Sequence, residues 1–173
     1  MDIPITKKLV CITGSVWTGS RSAPRRLLVK NGFLRPVWFT TRGRINDAGY
    51  RHLSETEFHL HNAANKVLAY IEYGGDYIGI LKQALETALQ ESQRGVLVVG
   101  PQEIAAQISD AVPQTLVFTL KETAMNLSPR LDKVQQQGRL HRINVDVLQP
   151  GAWTEAYALI CDKLGLEALK SPF

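Results

Sequence analysis

Several features that decide the class of a protein are scarce or missing in this sequence. Its 173 residues include two cysteines, Cys11 and Cys161, and each stands inside an apolar run. Isolated cysteines of this kind pack as small buried residues, so we expect neither a disulfide nor a metal site from them. No apolar run has the length of a membrane-spanning helix, and the N-terminus lacks the apolar stretch of a signal peptide. These absences indicate a cytoplasmic protein without a membrane association.

The histidines do not predict a metal site. His52, His59 and His61 have no fourth partner at metal-ligand spacing. On a helix, His59 and His61 would lie on different faces, because residues two apart do not face each other. We therefore expect no metal bound by these side chains.

Positive charge is concentrated in the first third of the chain. Residues 1–51 contain ten Lys or Arg and two acids, whereas the remainder contains ten Lys or Arg and fourteen acids. A basic region of this kind suits phosphate groups, either of a nucleotide or of a nucleic acid. Arg25, Arg26 and Lys30 fit a solvated helix face equally well. No basic stripe is interleaved with aromatics, so we rank nucleic acid below a small phosphorylated molecule.

Apolar periodicity predicts strands that alternate with helices. The predicted strands cover residues 8–13, 37–40, 67–73, 95–99, 115–120 and 142–147, and the predicted helices cover 24–30, a segment starting at 54–57, 80–93, 103–111 and 153–164. The clearest strands are continuously apolar, which is typical of a parallel sheet covered by helices on both faces. We predict an α/β protein with one domain over residues 1–173, in which 41–52 form a polar loop.

The segment between the first strand and the first helix resembles a phosphate-binding loop. Such loops follow the pattern G-x-x-x-x-G-K-S/T, and their backbone N–H groups point at the anion. Gly14 and Gly19 have the right spacing, but Ser20 stands at the lysine position and Arg21 at the position of the Mg²⁺-binding hydroxyl. The candidate phosphate loop comprises Gly14, Ser15, Thr18, Gly19, Ser20, Arg21 and Ser22. Trp17 also lies in this loop, and its ring would fill space that a phosphate needs.

Taken together with three later segments, the chain resembles the guanylate kinase family, and ribose bisphosphate kinases share that fold. The segments are Thr40-Thr41-Arg42-x-Arg44, Gly49-Tyr50 running into Leu53-Ser54-Glu55-Thr56-Glu57-Phe58, and Leu68-Ala69-Tyr70-Ile71-Glu72-Tyr73-Gly74-Gly75-Asp76-Tyr77-Ile78-Gly79. The resemblance implies a three-layer P-loop kinase fold with a mostly parallel central sheet. It places the core at about 8–39 and 81–173, a small mixed substrate-binding insertion at about 40–80, and a shortened lid remnant at about 121–139.

The resemblance also implies a substrate site whose two ends differ. Arg42, Arg44 and Tyr50 match the residues that bind the GMP phosphate in the family, and Glu72 and Tyr77 match further positions of that site. The positions that read guanine and line its pocket have changed, to Trp38, Ala69, Ile78 and Ile80. The anion end is therefore retained, whereas the base-reading end is apolar.

The ATP side shows parallel losses. The family has aspartates at the end of the strand that matches 96–99, where this chain has Val98-Val99-Gly100-Pro101-Gln102. Ser128-Pro129-Arg130-Leu131 matches the closing part of a lid that is otherwise short, and Arg130 is its one arginine at a matching position. We expect a weak or inactive kinase-fold protein that binds a phosphorylated small molecule or a protein partner, as a monomer or homodimer. The alternative is an active kinase that uses ATP and Mg²⁺, with Arg21 and Arg130 as its catalytic residues.

Overall fold

The computed structural model describes residues 1–14, 23–43, 48–121, 126–145 and 149–166. In chain order its strands are β1 (Lys8–Gly14), β2 (Phe33–Leu34), β3 (Trp38–Thr40), β4 (Tyr50–His52), β5 (Val67–Tyr73), β6 (Asp76–Leu81), β7 (Gly95–Val99), β8 (Leu116–Lys121) and β9 (Leu140–Asn144). Its helices are α1 (Ala23–Lys30), α2 (Glu55–Ala63), α3 (Lys82–Glu91), α4 (Gln102–Ala111), α5 (Asp132–Gln136) and α6 (Ala152–Leu164), with a 3-10 turn at Pro129–Leu131.

Five parallel strands form the central sheet, in the order β2-β7-β1-β8-β9. Successive side chains of β1 point to opposite faces, so Leu9 and Cys11 pack on one side while Val10 and Ile12 pack on the other. Helices α3, α4 and α5 cover the first face, and α1 and α6 cover the second. The predicted parallel sheet with helices on both faces is confirmed.

A second, smaller sheet has the order β4-β3-β6-β5 and is mixed. Strands β3 and β4 are parallel, whereas β6 runs antiparallel to both β3 and β5. Strands β5 and β6 form a hairpin closed by Gly74 and Gly75, whose φ angles are +61° and +85°. Two positive φ angles in a two-residue turn match the type I′ geometry, which glycine adopts without strain.

Three predictions of local structure are wrong. The helix predicted from residue 80 begins at Lys82, because Ile80 and Leu81 complete β6 opposite Ala69 and Val67. The predicted polar loop 41–52 contains β4, whose residues pair with β3. The last strand spans Leu140–Asn144, earlier than the predicted 142–147, of which 146 and 147 lie outside the described residues. Strands β2 and β6 and helix α5 were not predicted.

The predicted capping box and the predicted burial of the two cysteines are confirmed. The side chain of Ser54 accepts a hydrogen bond from the Glu57 N–H at 3.0 Å, and the Ser54 N–H donates to Glu57 Oε2 at 2.7 Å, which forms a capping box at the start of α2. Cys11 and Cys161 are both buried and free. Among the described residues, no helix is long and apolar enough to cross a membrane.

Candidate phosphate-binding site

Part of the predicted site lies outside the described residues. This holds for the phosphate-loop positions Ser15, Thr18, Gly19, Ser20, Arg21 and Ser22, for Trp17, and for Arg44 of the substrate site. The described part consists of the strand ends around Gly14, the face of the second sheet that carries Tyr50, and the segment that carries Arg130.

Two buried hydroxyls mark the carboxyl edge of the central sheet. Thr13 and Thr119 are register partners on β1 and β8, and both are almost completely buried. Within the described part of the chain, neither hydroxyl has a hydrogen-bond partner. The N–H of Gly100 donates to the Ile12 carbonyl at 3.2 Å, which places Gly100 beside the end of β1. The described ends of β1 and β7 therefore carry hydroxyl and glycine and no carboxylate.

One face of the second sheet carries a continuous row of side chains. Trp38 pairs with Tyr50 in the parallel register of β3 and β4. Phe39 pairs with Gly79, so Trp38 lies opposite Ile80, and Ile80 in turn pairs with Ala69. Residues paired across neighbouring strands share a face of the sheet. The row therefore runs from Ala69 through Ile80 and Trp38 to Tyr50.

Trp38 joins this row to the core. A Cβ atom added to Gly100 would stand 2.9 Å from Cη2 of Trp38, so the indole lies directly against the glycine backbone. Ala69 and Ile80 belong to the same buried cluster as strands β1 and β7 and helix α4, and Trp38 packs against that cluster. The chain's own apolar side chains thus occupy the junction between the second sheet and the core.

Arg42 and Tyr50 lie at opposite ends of the β3–β4 pair. The N–H of Arg42 donates to Thr40 Oγ1 at 3.1 Å, just beyond the end of β3, whereas Tyr50 begins β4 beside Trp38. Arg42 is exposed, and the Tyr50 side chain is 38% exposed. Within the described ranges, Arg42 forms no ion pair. Both groups can therefore reach a ligand from solvent, with the segment containing Arg44 connecting them along the chain.

Tyr77 and Glu72 are not brought together with Tyr50. The Tyr77 ring stacks on Phe58, with ring centroids 4.2 Å apart and planes inclined by 16°. Glu72 is its cross-strand partner and so shares its face, the one covered by α2. Desolvation raises the pKa of Tyr77, and the nearby charge of Glu72 adds to this effect. These two predicted substrate residues stand on the opposite face of the sheet from Trp38 and Tyr50.

Arg130 is engaged by carboxylates of α4. Its Nη1 donates to Glu103 Oε2 at 2.9 Å, and its Nη2 lies 4.0 Å from Asp110 Oδ2. Ser128 Oγ also donates to Glu103, at 3.1 Å, and Gln102 accepts from the Ser128 N–H. The segment that carries Ser128 and Arg130 is therefore attached to the first turn of α4.

Sequence reasoning missed Gln107. Its side-chain amide accepts from the Tyr70 N–H at 3.0 Å and donates to the Tyr70 carbonyl at 2.8 Å, so it pairs with the outer edge of β5 as a strand residue would. The sequence feature that could have indicated its role is its position, because Gln107 is a polar residue close to the buried Ile104 and Ile108 on an amphipathic helix. Through Gln107, helix α4 holds the second sheet by two hydrogen bonds.

The described residues contain no group of three His, Cys, Asp or Glu side chains arranged to hold a metal ion. His59 lies 3.6 Å from the Glu55 carboxylate one helical turn away, and its ring is 5.1 Å from that of Phe58. Its contacts are thus those of a helix surface residue.

Comparison with known proteins finds relatives by sequence and by structure. It is 31% identical over 136 residues to a guanylate kinase of Nostoc sp. and equally to a guanylate kinase of Trichormus variabilis, an alignment that covers 74% of this chain and 67% of each relative. The crystal structure of guanylate kinase from Anaplasma phagocytophilum superimposes with a TM-score of 0.62 and 15% identity, covering 96% of this chain and 88% of that one. No family model matches the chain. The sequence identity and its coverage show that the chain belongs to the guanylate kinase family.

Proposed function

We propose that this family member has degraded GMP and ATP sites, is weak or inactive as a kinase, and acts by binding a phosphorylated small molecule. The observation that carries the proposal is the packing of Trp38 against Gly100. Trp38 stands between Tyr50, at the anion end, and Ala69, at the position of the family's guanine-reading glutamate. A ligand held at Tyr50 and extending towards Ala69 would have to displace the indole.

The chemistry of that position also argues against guanine. Ala69 and Ile80 are 1% and 0% exposed, and their methyl groups accept no hydrogen bond. Burying a polar group without a partner costs about 1–3 kcal/mol by the evidence of protein mutations. The polar edge of guanine would lose its hydrogen bonds to water beside Ala69 and Ile80 without gaining others. We therefore expect the base to contribute nothing to affinity. The preferred ligand is then a phosphorylated molecule without a recognised purine.

The residues described at the ATP side do not fit Mg²⁺. Carboxylates and other hard oxygen ligands suit this ion, whereas the ends of β1 and β7 offer Thr13 and Gly100. Removing one preorganised transition-state donor costs about 10²–10³ in rate. Loss of the loop lysine, replaced by Ser20, would add a further factor of this size. Several such losses together support a binding role more than a catalytic one.

The test is isothermal titration with ribose 5-phosphate, GMP and ATP–Mg²⁺, together with an assay of phosphoryl transfer. We expect ribose 5-phosphate to bind at least as tightly as GMP, ATP to bind weakly, and turnover to be absent. Arg42→Ala should remove phosphate binding, whereas Arg26→Ala, on the exposed surface of α1, should leave it unchanged. Micromolar ATP binding accompanied by turnover would refute the proposal. Absence of binding to every phosphate compound would point instead to a protein partner.

The alternative function is an active kinase for a nucleotide or a sugar phosphate, and kinship at 31% identity to proteins named guanylate kinase favours it. In that case Arg21 supplies the charge of the missing lysine and Arg130 acts from the lid remnant. Arg21→Ala should then abolish turnover while circular dichroism shows an unchanged fold. An Arg21→Ala variant that retains full activity would exclude Arg21 from catalysis.

A further inference from the structure

A cleft of about 530 Å³ separates helix α3 from the segment that joins β2 to β3. Its floor is apolar and includes Leu34, Phe39, Leu81 and Ala84. The volume lies within the range of small-molecule sites, about 300–1,000 Å³. Tyr50 and Arg42 do not line it, and Arg51 lines it from the face of β4 opposite to Tyr50, whereas Trp38 belongs both to its lining and to the candidate site. The cleft therefore adjoins the candidate phosphate site at Trp38 but does not include its anion-binding residues.

Two arginines stand at this cleft, Arg35 from the β2–β3 segment and Arg51 from β4. Both are exposed, and in the described ranges neither has an ion pair or a side-chain hydrogen bond. Glu91, at the end of α3, is the single carboxylate among the lining residues. Positive charge thus exceeds negative charge among the residues that line this apolar cavity.

We infer that this cleft binds an apolar carboxylate, a small molecule with a hydrocarbon or aromatic body and one terminal anionic group. The body lies on the apolar floor, where burial of hydrocarbon surface favours binding by about 25 cal/mol per Å². The carboxylate receives hydrogen bonds from one or both guanidinium groups, whose planar geometry matches it. Neither contact involves Arg42 or Tyr50, so the inference does not rest on the proposed function.

Three probes of equal chain length separate the contributions of charge and apolar surface: octanoate, octanol and octylammonium. We expect octanoate to bind at least tenfold more tightly than octanol in isothermal titration, and octylammonium to bind more weakly than octanol. The double variant Arg35→Ala/Arg51→Ala should bring octanoate to within threefold of octanol. If octylammonium binds best, Glu91 dominates the cleft and the inference is wrong.

A second pair of variants locates the binding. Thr87 lines the cleft from α3, so Thr87→Trp should fill it and reduce octanoate binding at least tenfold. The neighbouring Glu86 is exposed and does not line the cleft, so Glu86→Trp is the matched control and should bind as the unaltered protein does. Equal octanoate affinity in both variants would place the binding elsewhere and overturn the inference. Failure of all three probes to bind would also overturn the inference. If the protein is then a dimer that Thr87→Trp dissociates, the occupant of the cleft is a second copy of the chain.

Discussion

The indole of Trp38 lies against Gly100 so closely that a single methyl group at residue 100 would stand 2.9 Å from its ring. This contact joins the second sheet to the end of β7. The first prediction follows from this distance. Gly100→Ala should lower the free energy of unfolding by about 1 kcal/mol, the low end of the cost of overpacking, because the far edge of the ring can move.

In a Trp38→Ser protein, Gly100→Ala should not lower the free energy of unfolding, because the ring that the methyl group meets is gone. The double-mutant cycle then measures the coupling between residues 38 and 100. Gly43→Ala is the control, because a Cβ there would meet no atom of the described residues within 4 Å. Urea denaturation gives each free energy. An equal cost of Gly100→Ala in both backgrounds would show that the contact does not constrain this glycine.

The second prediction concerns the attachment of the second sheet to α4. Gln107→Ala leaves the N–H and carbonyl of Tyr70 without their side-chain partners. Leaving such groups unsatisfied costs about 1–3 kcal/mol, and amide exchange at Tyr70 should accelerate accordingly. Gln90→Ala, an exposed position on α3, should change neither the denaturation midpoint nor the exchange rate. Unaltered exchange at Tyr70 in the Gln107 variant would count against the attachment.

The third prediction concerns Arg130. Its pair with Glu103 is half exposed, at 49% and 46% of the two side chains, and pairs of this kind contribute about 0–1 kcal/mol. Arg130→Ala should therefore shift the free energy of unfolding by less than about 1 kcal/mol. Under the proposed function it should also leave the affinity for ribose 5-phosphate unchanged. A large loss of affinity or of turnover would favour the kinase alternative.

The fourth prediction concerns the two thiols. Burial raises the pKa of Cys11 from 9.0 to about 12 and also raises the pKa of Cys161. Because the thiolate is the reactive form, both should resist Ellman's reagent at pH 8 in the native protein and react fully in urea. Rapid modification of Cys11 without denaturant would show that β1 is accessible.

The same pKa shift gives stability a pH dependence. Above pH 9 the unfolded chain releases the Cys11 proton while the folded chain retains it. The unfolded state then binds fewer protons, so the free energy of unfolding falls as pH rises towards 12. Cys11→Ala should remove this part of the alkaline destabilisation. Identical alkaline profiles for the two proteins would contradict the assignment.

The sequence predicted the central sheet because strands such as β1 and β7 are continuously apolar, a pattern that few other structures share. It misplaced the start of α3 because Ile80 and Leu81 fit the apolar face of a helix as well as the end of a strand. Pairing with Ala69 and Val67 decides between the two, and such pairing is a tertiary property. The division into core, insertion and lid remnant remains a prediction.

For the site, the resemblance to the family predicted which residues bind the ligand, and that remains a prediction, but it did not predict how their side chains are oriented. Adjacent residues of a strand point to opposite faces of the sheet, so Tyr77 and Ile78 cannot both face the core. The sequence alone therefore could have predicted that these two positions lie on different faces. The contact between Trp38 and Gly100 could not be predicted, because it depends on how the second sheet packs against the carboxyl edge of the first. Gln107 was missed for the same reason.

Strand β6 ends at Leu81 and α3 begins at Lys82, with no residue between them. The second sheet therefore sets the rotational phase of α3. One residue inserted at this junction would turn the helix by about 100° and swing Leu85, Ala88 and Leu89 out of the core. If the segment that forms the second sheet is exchanged for that of another protein, the number of residues before Lys82 must stay the same. Otherwise the apolar face of α3 no longer packs against the core.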